Sequence, residues 1–418
     1  MLRLFFISLL IFFSISLWGQ DKGLFQTITV PIDYANPKAG TTTISYELAN
    51  KFSKNKPTVF IIADAQQFYV RKGAVANLQT TLLDTSYNVV GIISRNNNSD
   101  LKKLVTDETG NVNWEKAYTT YSWLQYVNDI NEVRKTIVGN SGHIYLYGQS
   151  GGGFLIHQFL SVYGQFVDKA FTAASVNYFL DDETGINHDK FWDETTKSNI
   201  SFAEKFKQLI TQGTIGREMI AMLFQRQNFF VKSDSLNFER TKLLNTLLSN
   251  DTAKIKQYQE NYQITAIQNF YASADGIPIK VRLFEFIFPL LKNFEMKKDT
   301  LQPDIENLSF SSLPLIEAYN NHKIYPQAMQ FTTQHNLKTK VFVLAGRFDH
   351  TADYRSQIAL ASTYPNHILF IVNDNHTFSE LKNDGNYQKL IVAFFKSENT
   401  DNMLTVLRND YWRYRWKE

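Results

Sequence analysis

A serine set among glycines, between an apolar run and a helix-like run, constrains this chain more than any other feature. The apolar run 144–147 is followed by residues 148–152, Gly-Gln-Ser-Gly-Gly, and then by the largely apolar run 154–160. Strand, tight turn and helix around Gly-x-Ser-x-Gly are typical of a nucleophile elbow, in which the glycines let strand and helix pack closely around a strained serine. The pattern predicts that Ser150 is a nucleophile at the end of a buried strand.

The helix predicted after this turn adds a second expectation. Its first N–H groups, beginning with Gly151, would point with the positive end of the helix dipole at the atom on which negative charge develops. We therefore expect the Gly151 N–H to contribute to an oxyanion hole.

Strands and helices alternate around the turn. The predicted buried strands before and after it are the apolar runs 57–63, 88–93, 144–147 and 169–176. Helix-like spacing fills 73–83 and 114–137, the latter as one long amphipathic helix. The alternation predicts βαβ units and an α/β fold with a mostly parallel sheet flanked by helices. An alternating pair, 25–32 and 41–48, predicts a hairpin at the start.

The alternation stops near residue 179 and resumes at residue 339. The range 179–334 is polar, rich in aromatic residues and helical in its spacing, and it holds no convincing buried strand. We expect one sheet domain in two parts, 21–178 and 335–418, with a helical cap at 179–334 inserted between the sixth and seventh strands.

The returning strands supply partners for the serine. A serine is a weak nucleophile at neutral pH and needs a base that is itself oriented by an acid. Asp349 follows the predicted strand 339–346, and His376 follows the predicted strand 367–373. The order Ser150, Asp349, His376, each after a strand of a parallel sheet, predicts a catalytic triad.

Other interpretations of these residues stay open. Asp349 could simply cap the helix that begins after it, and Asp353 and Asp374 are rival acids. The other histidines follow no such strand end, and we expect them to be surface or core residues.

Composition narrows the function. Lys and Arg number 43 against 40 Asp and Glu, a net charge of +3 without a basic stripe, so we expect no nucleic-acid partner. Cysteine is absent, which excludes disulfides, thiol catalysis and cysteine zinc sites. With no histidine–carboxylate cluster and no glycine fingerprint for a nucleotide, we expect neither metal nor cofactor. The expected partner is a small-molecule or short-peptide substrate; an oligomeric state is not indicated.

Residues 1–20 resemble a targeting segment. Arg3 is followed by an apolar stretch, 4–18, that is short for a membrane span of about 20 residues and suits a signal peptide. We expect a secreted or periplasmic protein with no membrane contact beyond this segment. An uncleaved anchor is the alternative.

With these residues in place, the chain resembles the α/β-hydrolase superfamily, and within it the branch of secreted proline iminopeptidases and tripeptidyl aminopeptidases. The stretches that carry the resemblance are 30–37 (Val-Pro-Ile-Asp-Tyr-Ala-Asn-Pro), 128–134 (Asn-Asp-Ile-Asn-Glu-Val-Arg), 148–152 and 346–349 (Gly-Arg-Phe-Asp). In iminopeptidases, cap carboxylates hold the amino group of the substrate. The resemblance implies that role for Asp193 and Glu194; a solvated acidic loop is the alternative.

One loop departs from the family pattern. The family usually has His-Gly-Gly-Pro-Gly after the third strand, whereas residues 63–67 are Ala-Asp-Ala-Gln-Gln. A backbone N–H of Ala65 or Gln66, with Ala65 the predicted donor, could still complete the oxyanion hole, although Asp64 adds a negative charge there. We expect a serine hydrolase similar to an aminopeptidase. A carboxylic esterase, or a binding protein of the same fold with weak catalysis, is the alternative.

Overall fold

The computed structural model describes residues 24–180, 190–232, 235–291, 296–329 and 335–396. The predicted signal peptide at 1–20 lies outside the described residues, as does the chain beyond 396.

One eight-stranded sheet organises the chain, with the strand order β1-β2-β4-β3-β5-β6-β7-β8. The strands are β1 (Phe25–Pro31), β2 (Thr41–Leu48), β3 (Thr58–Ile62), β4 (Asn88–Ile93), β5 (Ile144–Gln149), β6 (Val167–Ala173), β7 (Lys340–Gly346) and β8 (His367–Val372). The hairpin β1–β2 is antiparallel, β2 is antiparallel to β4, and β3 to β8 are all parallel. The predicted α/β-hydrolase fold with a mostly parallel sheet is confirmed.

Helices cover both faces of the sheet, which is why β3 and β4 are buried along their whole length. The helices of the sheet domain are α1 (Val75–Leu82), α2 (Ser99–Val105), α3 (Trp114–Tyr121), α4 (Trp123–Val138), α5 (Gly151–Tyr163), α15 (Tyr354–Ser362), α16 (Ser379–Asn383) and α17 (Asn386–Lys396). The parallel connections bring the carboxyl ends of β3, β5, β7 and β8 to one edge, where polar loops can meet.

The single helix predicted for 114–137 is wrong. The chain breaks at Ser122, whose backbone is extended (φ −64°, ψ 156°), so α3 and α4 are separate helices. The Trp123 N–H at the start of α4 donates to both carboxylate oxygens of Glu285, each at 3.1 Å. The carboxylate from a distant helix supplies the cap that the local sequence does not.

The described residues between β6 and β7 form nine α-helices, which we call the helical insertion. They are α6 (Lys190–Ser198), α7 (Ser201–Gln212), α8 (Arg217–Phe230), α9 (Leu236–Leu248), α10 (Thr252–Asn261), α11 (Ile264–Ala272), α12 (Ile277–Ile287), α13 (Pro303–Ser311) and α14 (Leu313–Asn320). The first part of the insertion has an apolar core of its own, formed largely by α7, α8 and α9. Helix α12 instead joins the core of the sheet domain.

Within the described residues, no helix is both long and apolar enough to cross a membrane.

Candidate active site

Ser150 occupies the sharp turn between β5 and α5. Its backbone has φ 57° and ψ −126°, a strained combination for a residue with a side chain. Its N–H donates to the Ala173 carbonyl at 2.8 Å, which fixes the turn to β6. A Cβ on Gly148 would lie 2.7 Å from the Gly152 carbonyl, and one on Gly152 would collide with the Ile62 carbonyl oxygen. The glycines are therefore needed for this turn to pack.

Three predicted residues meet at the end of the sheet. His376 Nε2 lies 2.9 Å from Ser150 Oγ, and His376 Nδ1 lies 2.7 Å from Asp349 Oδ2. Both His376 and Asp349 are completely buried. Because a carboxylate faces Nδ1, that nitrogen carries the proton, which leaves Nε2 free to accept one from the serine hydroxyl. This geometry is that of a nucleophile, a general base and an orienting acid.

Asp349 orders the loop that follows it and orients His376, but it does not cap the helix α15, whose N-cap is Asp353. Its Oδ1 accepts the N–H groups of Thr351 and Ala352, each at 2.9 Å, while Oδ2 binds the imidazole. The rival acids are engaged elsewhere. Asp353 caps α15 and pairs with Arg355 at 2.7 Å. Asp374 accepts three backbone N–H groups, two of them at the start of α16.

The helical insertion contributes groups that pack on the triad, and no motif in the sequence indicated them. Phe229 of α8 meets the His376 ring edge-to-face, with centroids 4.8 Å apart. Lys190 of α6 donates to the carbonyls of Arg347 and Asp349 at 2.6 and 2.9 Å, so it holds the loop that carries the acid. Burial lowers the pKa of the Lys190 ammonium.

The loop after β3, residues 63–67, faces the elbow and is joined to it by Gln67. The Gln67 amide oxygen accepts the N–H groups of Asp64 and Gly152, both at 3.0 Å, and its Nε2 donates to the Gln149 carbonyl at 2.8 Å. One side chain therefore replaces the close backbone packing that glycines would allow. No motif in the sequence indicates this role for Gln67.

The structure differs from the predicted oxyanion hole at Ala65. Its N–H, predicted to face the oxyanion, donates to the Asp64 carboxylate Oδ1 at 2.7 Å. The N–H of Gly151, the other predicted donor, has no acceptor among the described residues. Of the two predicted backbone donors, the Gly151 N–H is thus free among the described residues and the Ala65 N–H is occupied.

The Asp64 charge is compensated by the helical insertion. Arg282 of α12 binds it with two contacts, Nε to Oδ1 at 2.8 Å and Nη2 to Oδ2 at 2.9 Å. Arg282 also donates to Glu285 and to Gln158 Oε1, the latter at 2.9 Å. Burial acts to lower the pKa of Arg282, but the carboxylates of Asp64 and Glu285 outweigh it and raise that pKa. The negative charge expected near the oxyanion is therefore held in a buried ion pair.

A small cavity lies beside the triad, between the insertion and the sheet domain. It is lined by Tyr178, Phe191, Gln302, Pro303, Asp304, Ile305, His350, Thr351 and Asp353. Asp304 accepts hydrogen bonds from Tyr178 and from Gln225 Nε2, the latter at 3.2 Å, and no cation pairs with it among the described residues. Burial raises the pKa of Asp304 to about 6. Buried acceptor oxygens without a partner, on Gln225 and Gln302, lie close by.

Asp193 and Glu194, the carboxylates implied by the family resemblance, are half-buried in α6, with Asp193 in its first turn. Glu194 lies within electrostatic range of two buried cations, Lys190 and Arg240. No described contact joins either carboxylate to the triad. Their role in binding an amino group stays a prediction.

No metal centre is evident in the part of the chain that the structure describes, since it contains no group of three or more His, Asp or Glu side chains arranged to hold an ion.

Comparison with known proteins shows which family and which solved structures the chain resembles. The sequence profile of the family described as alpha/beta hydrolase fold matches residues 72–381. Similar solved structures include MGS-M2, an alpha/beta hydrolase enzyme from a Medee basin deep-sea metagenome library, with 12% identity, TM-score 0.43 and coverage of 86% of this chain and 96% of that one. An acetylester hydrolase from Corynebacterium glutamicum has 14% identity, TM-score 0.42 and coverage of 90% and 97%. The enol-lactonase from Burkholderia xenovorans LB400 has 9% identity, TM-score 0.39 and coverage of 85% and 97%. No curated protein matches.

Proposed function

This chain belongs to the α/β-hydrolase family, and from that premise we propose that it is a secreted or periplasmic serine hydrolase that cleaves short peptides as an aminopeptidase does. The observation that carries the proposal is the chain of hydrogen bonds from Ser150 Oγ through His376 to Asp349. An oriented base within 2.9 Å of a strained serine is what nucleophilic acyl transfer requires.

The chemistry follows from the positions of the protons. Ser150 Oγ attacks the carbonyl carbon while its proton passes to His376 Nε2, and the π electrons of the carbonyl move onto its oxygen. Asp349 stabilises the imidazolium and keeps its tautomer. When the tetrahedral intermediate collapses, the bond to the leaving amine breaks, and that amine takes the proton from His376. Water then repeats the sequence on the acyl-enzyme and releases the acid.

Asp304 supports a substrate with a free amino group. It is a buried carboxylate without a cationic partner among the described residues, beside a cavity whose wall includes Thr351, a donor to the triad acid. His376 is close enough to affect the pKa of Asp304. A buried carboxylate with two unpaired amide oxygens nearby, those of Gln225 and Gln302, is complementary to an ammonium group, which only donates hydrogen bonds. Asp304 is better placed for this role than Asp193 or Glu194.

Ester hydrolysis is the second candidate. The Ala65 N–H donates to Asp64 and not into an empty site. A site with fewer backbone donors for the oxyanion favours esters, which are more reactive than amides and use the same triad. A binding protein with weak catalysis is the outcome if neither reaction occurs.

A matched substrate panel tests the proposal. Prolyl and alanyl p-nitroanilides, their N-acetylated forms and p-nitrophenyl acetate would be assayed with wild type and Ser150→Ala. We expect cleavage of the free-amine anilides, at least tenfold slower cleavage of the acetylated forms, and no reaction with Ser150→Ala. Turnover of the ester alone supports the esterase candidate. Folded wild type that neither turns over any substrate nor reacts with a fluorophosphonate at Ser150 would refute the hydrolase.

Export is a separate part of the proposal, and it rests on the pattern of residues 1–20. Expression of the full chain in a bacterial host, followed by fractionation and N-terminal sequencing, tests it. An unprocessed protein in the cytoplasmic fraction would contradict export.

A further inference from the structure

The side chain of Gln66 lies against the elbow, although no sequence motif predicts a functional side chain at this position. A Cβ built on Gly151 would collide with Gln66 Nε2 and would lie 3.0 Å from Gln66 Cδ. The carboxamide of Gln66 therefore occupies the space in which a side chain at position 151 would lie. That space adjoins the first N–H of α5, the position at which an oxyanion is expected.

Two hydrogen-bond donors are thus adjacent and unused. The Gly151 N–H and the Gln66 Nε2 both lack an acceptor among the described residues. The Gln66 Oε1 is buried and also has no partner. Two adjacent donors without an acceptor are complementary to an acceptor brought by a ligand.

The neighbouring donor, the Ala65 N–H, is in contrast already engaged in a hydrogen bond. The Ala65 N–H donates to Asp64 Oδ1, and Arg282 fixes that carboxylate with two contacts of 2.8 and 2.9 Å. Releasing the Ala65 N–H would require a completely buried ion pair to rearrange. The Ala65 N–H is therefore costly to recruit as the second oxyanion donor.

From these contacts we infer that the Gln66 carboxamide is the second oxyanion-hole donor, which acts beside the Gly151 N–H in place of the backbone donor at Ala65. This inference rests on the proposed function and adds a catalytic residue to it. When Ser150 Oγ bonds to the carbonyl carbon, the carbonyl oxygen becomes an oxyanion. Gln66 Nε2 then donates a hydrogen bond without giving up a proton, and the hydrogen bond weakens when the carbonyl re-forms.

Two variants of Gln66 test the inference. Gln66→Ala removes the donor, and Gln66→Glu keeps the size but replaces the donor with a carboxylate. We expect each to lower kcat on p-nitrophenyl acetate by about 10²- to 10³-fold with little change in KM, because the lost contact forms in the transition state. The rate constant for phosphonylation of Ser150 by a fluorophosphonate should fall in parallel. Gln208→Ala, at an exposed position of α7, is the control and should leave both rates unchanged.

The outcomes separate this inference from the proposed function. If wild type reacts at Ser150 and the folded Gln66 variants react at a rate within twofold of wild type, or faster, the role of Gln66 is overturned. The proposed hydrolase is then unaffected. Folded wild type that fails to react at all overturns both. Thermal melting checks folding, and if Gln66→Ala unfolds, Gln66→Glu alone decides, since a carboxylate beside the oxyanion cannot support the wild-type rate.

Discussion

The turn after β5 and the loop after β3 face each other across the candidate site, but they are stabilised in different ways. The elbow is a backbone structure. Ser150 has a positive φ, its N–H binds the Ala173 carbonyl, and Gly148 and Gly152 provide the room. The loop is held by side chains, through Gln67 to the elbow and through Asp64 to Arg282. The described hydrogen bonds of the turn's backbone involve no charged side chain, whereas a buried ion pair anchors the loop.

This difference shows which part of the site is general and which is particular to this chain. A nucleophile on a glycine turn depends mainly on residues adjacent in sequence and on the neighbouring strands of the sheet. The loop depends on Arg282, 218 residues further along, and thus on the helical insertion being in place. Activity should therefore depend on the packing of the insertion, whereas the elbow should form without it. The following variants test this division.

The largest effect is expected at the elbow. Ser150→Ala should lower kcat by at least about 10³-fold, because no other group described at the turn can form the acyl-enzyme. Thermal stability should change little, since alanine keeps the Cβ and the serine hydroxyl bonds, among the described residues, only to His376. Steady-state kinetics of wild type and Ser150→Ala measure the loss of kcat, and Ser161→Ala on α5 is the control. Residual activity above a tenth of wild type would mean that the elbow is not the reactive site.

At the loop, the largest effect is expected on stability. Arg282→Met leaves the carboxylates of Asp64 and Glu285 buried without their cation, which should cost about 3–5 kcal/mol of unfolding free energy. Adding Asp64→Asn should recover part of that loss, because the uncompensated charge is removed. Urea unfolding measures both. Lys103→Met at the exposed pair with Asp100 is the control and should leave stability unchanged.

A double variant no more stable than Arg282→Met would show that Asp64 and Arg282 are not coupled. The insertion would then not be what anchors the loop.

Much of the elbow could be predicted because its physics is local. The apolar run, the glycines and the helix-like run adjoin Ser150 in sequence, and the strands that lead to Asp349 and His376 are continuous apolar runs. The alternation of strands and helices also predicted the parallel sheet. These signals need no knowledge of distant partners.

The rest depended on partners that are far apart in sequence. Nothing near Asp64 indicates that Arg282 neutralises it, and nothing near Trp123 indicates that Glu285 accepts its N–H and breaks the predicted helix. Asp304 lies within a helix whose spacing shows only which residues are apolar. A helical pattern identifies a buried face but not the group that it meets across an interface.

Gln67→Ala should have an intermediate effect that links the two regions. It removes two hydrogen bonds between loop and elbow and one within the loop, and it should cost roughly 2 kcal/mol of stability. Because the loop loses its register against Ser150, kcat should fall as well. Gln388→Ala is the matched control, since Gln388 donates to the carbonyls of Thr80 and Leu83, both at 2.8 Å, away from the site. If both variants lose stability but only Gln67→Ala loses kcat, the result supports the link between loop and elbow. Equal kcat values in the two variants would contradict it.

The smallest effect is expected from the ionisation of Asp304, a residue of the helical insertion. Burial raises the pKa of this carboxyl to about 6, so it loses its proton as the pH rises through about 6, and only the ionised form attracts an ammonium group. For an alanyl p-nitroanilide, KM should fall about tenfold between pH 5 and 7.5, relative to KM for p-nitrophenyl acetate at the same pH. The ratio removes any change in Ser150 or His376 that both substrates share. Asp304→Asn should make the ratio independent of pH, and an unchanged pH dependence in that variant would assign the titration to another group.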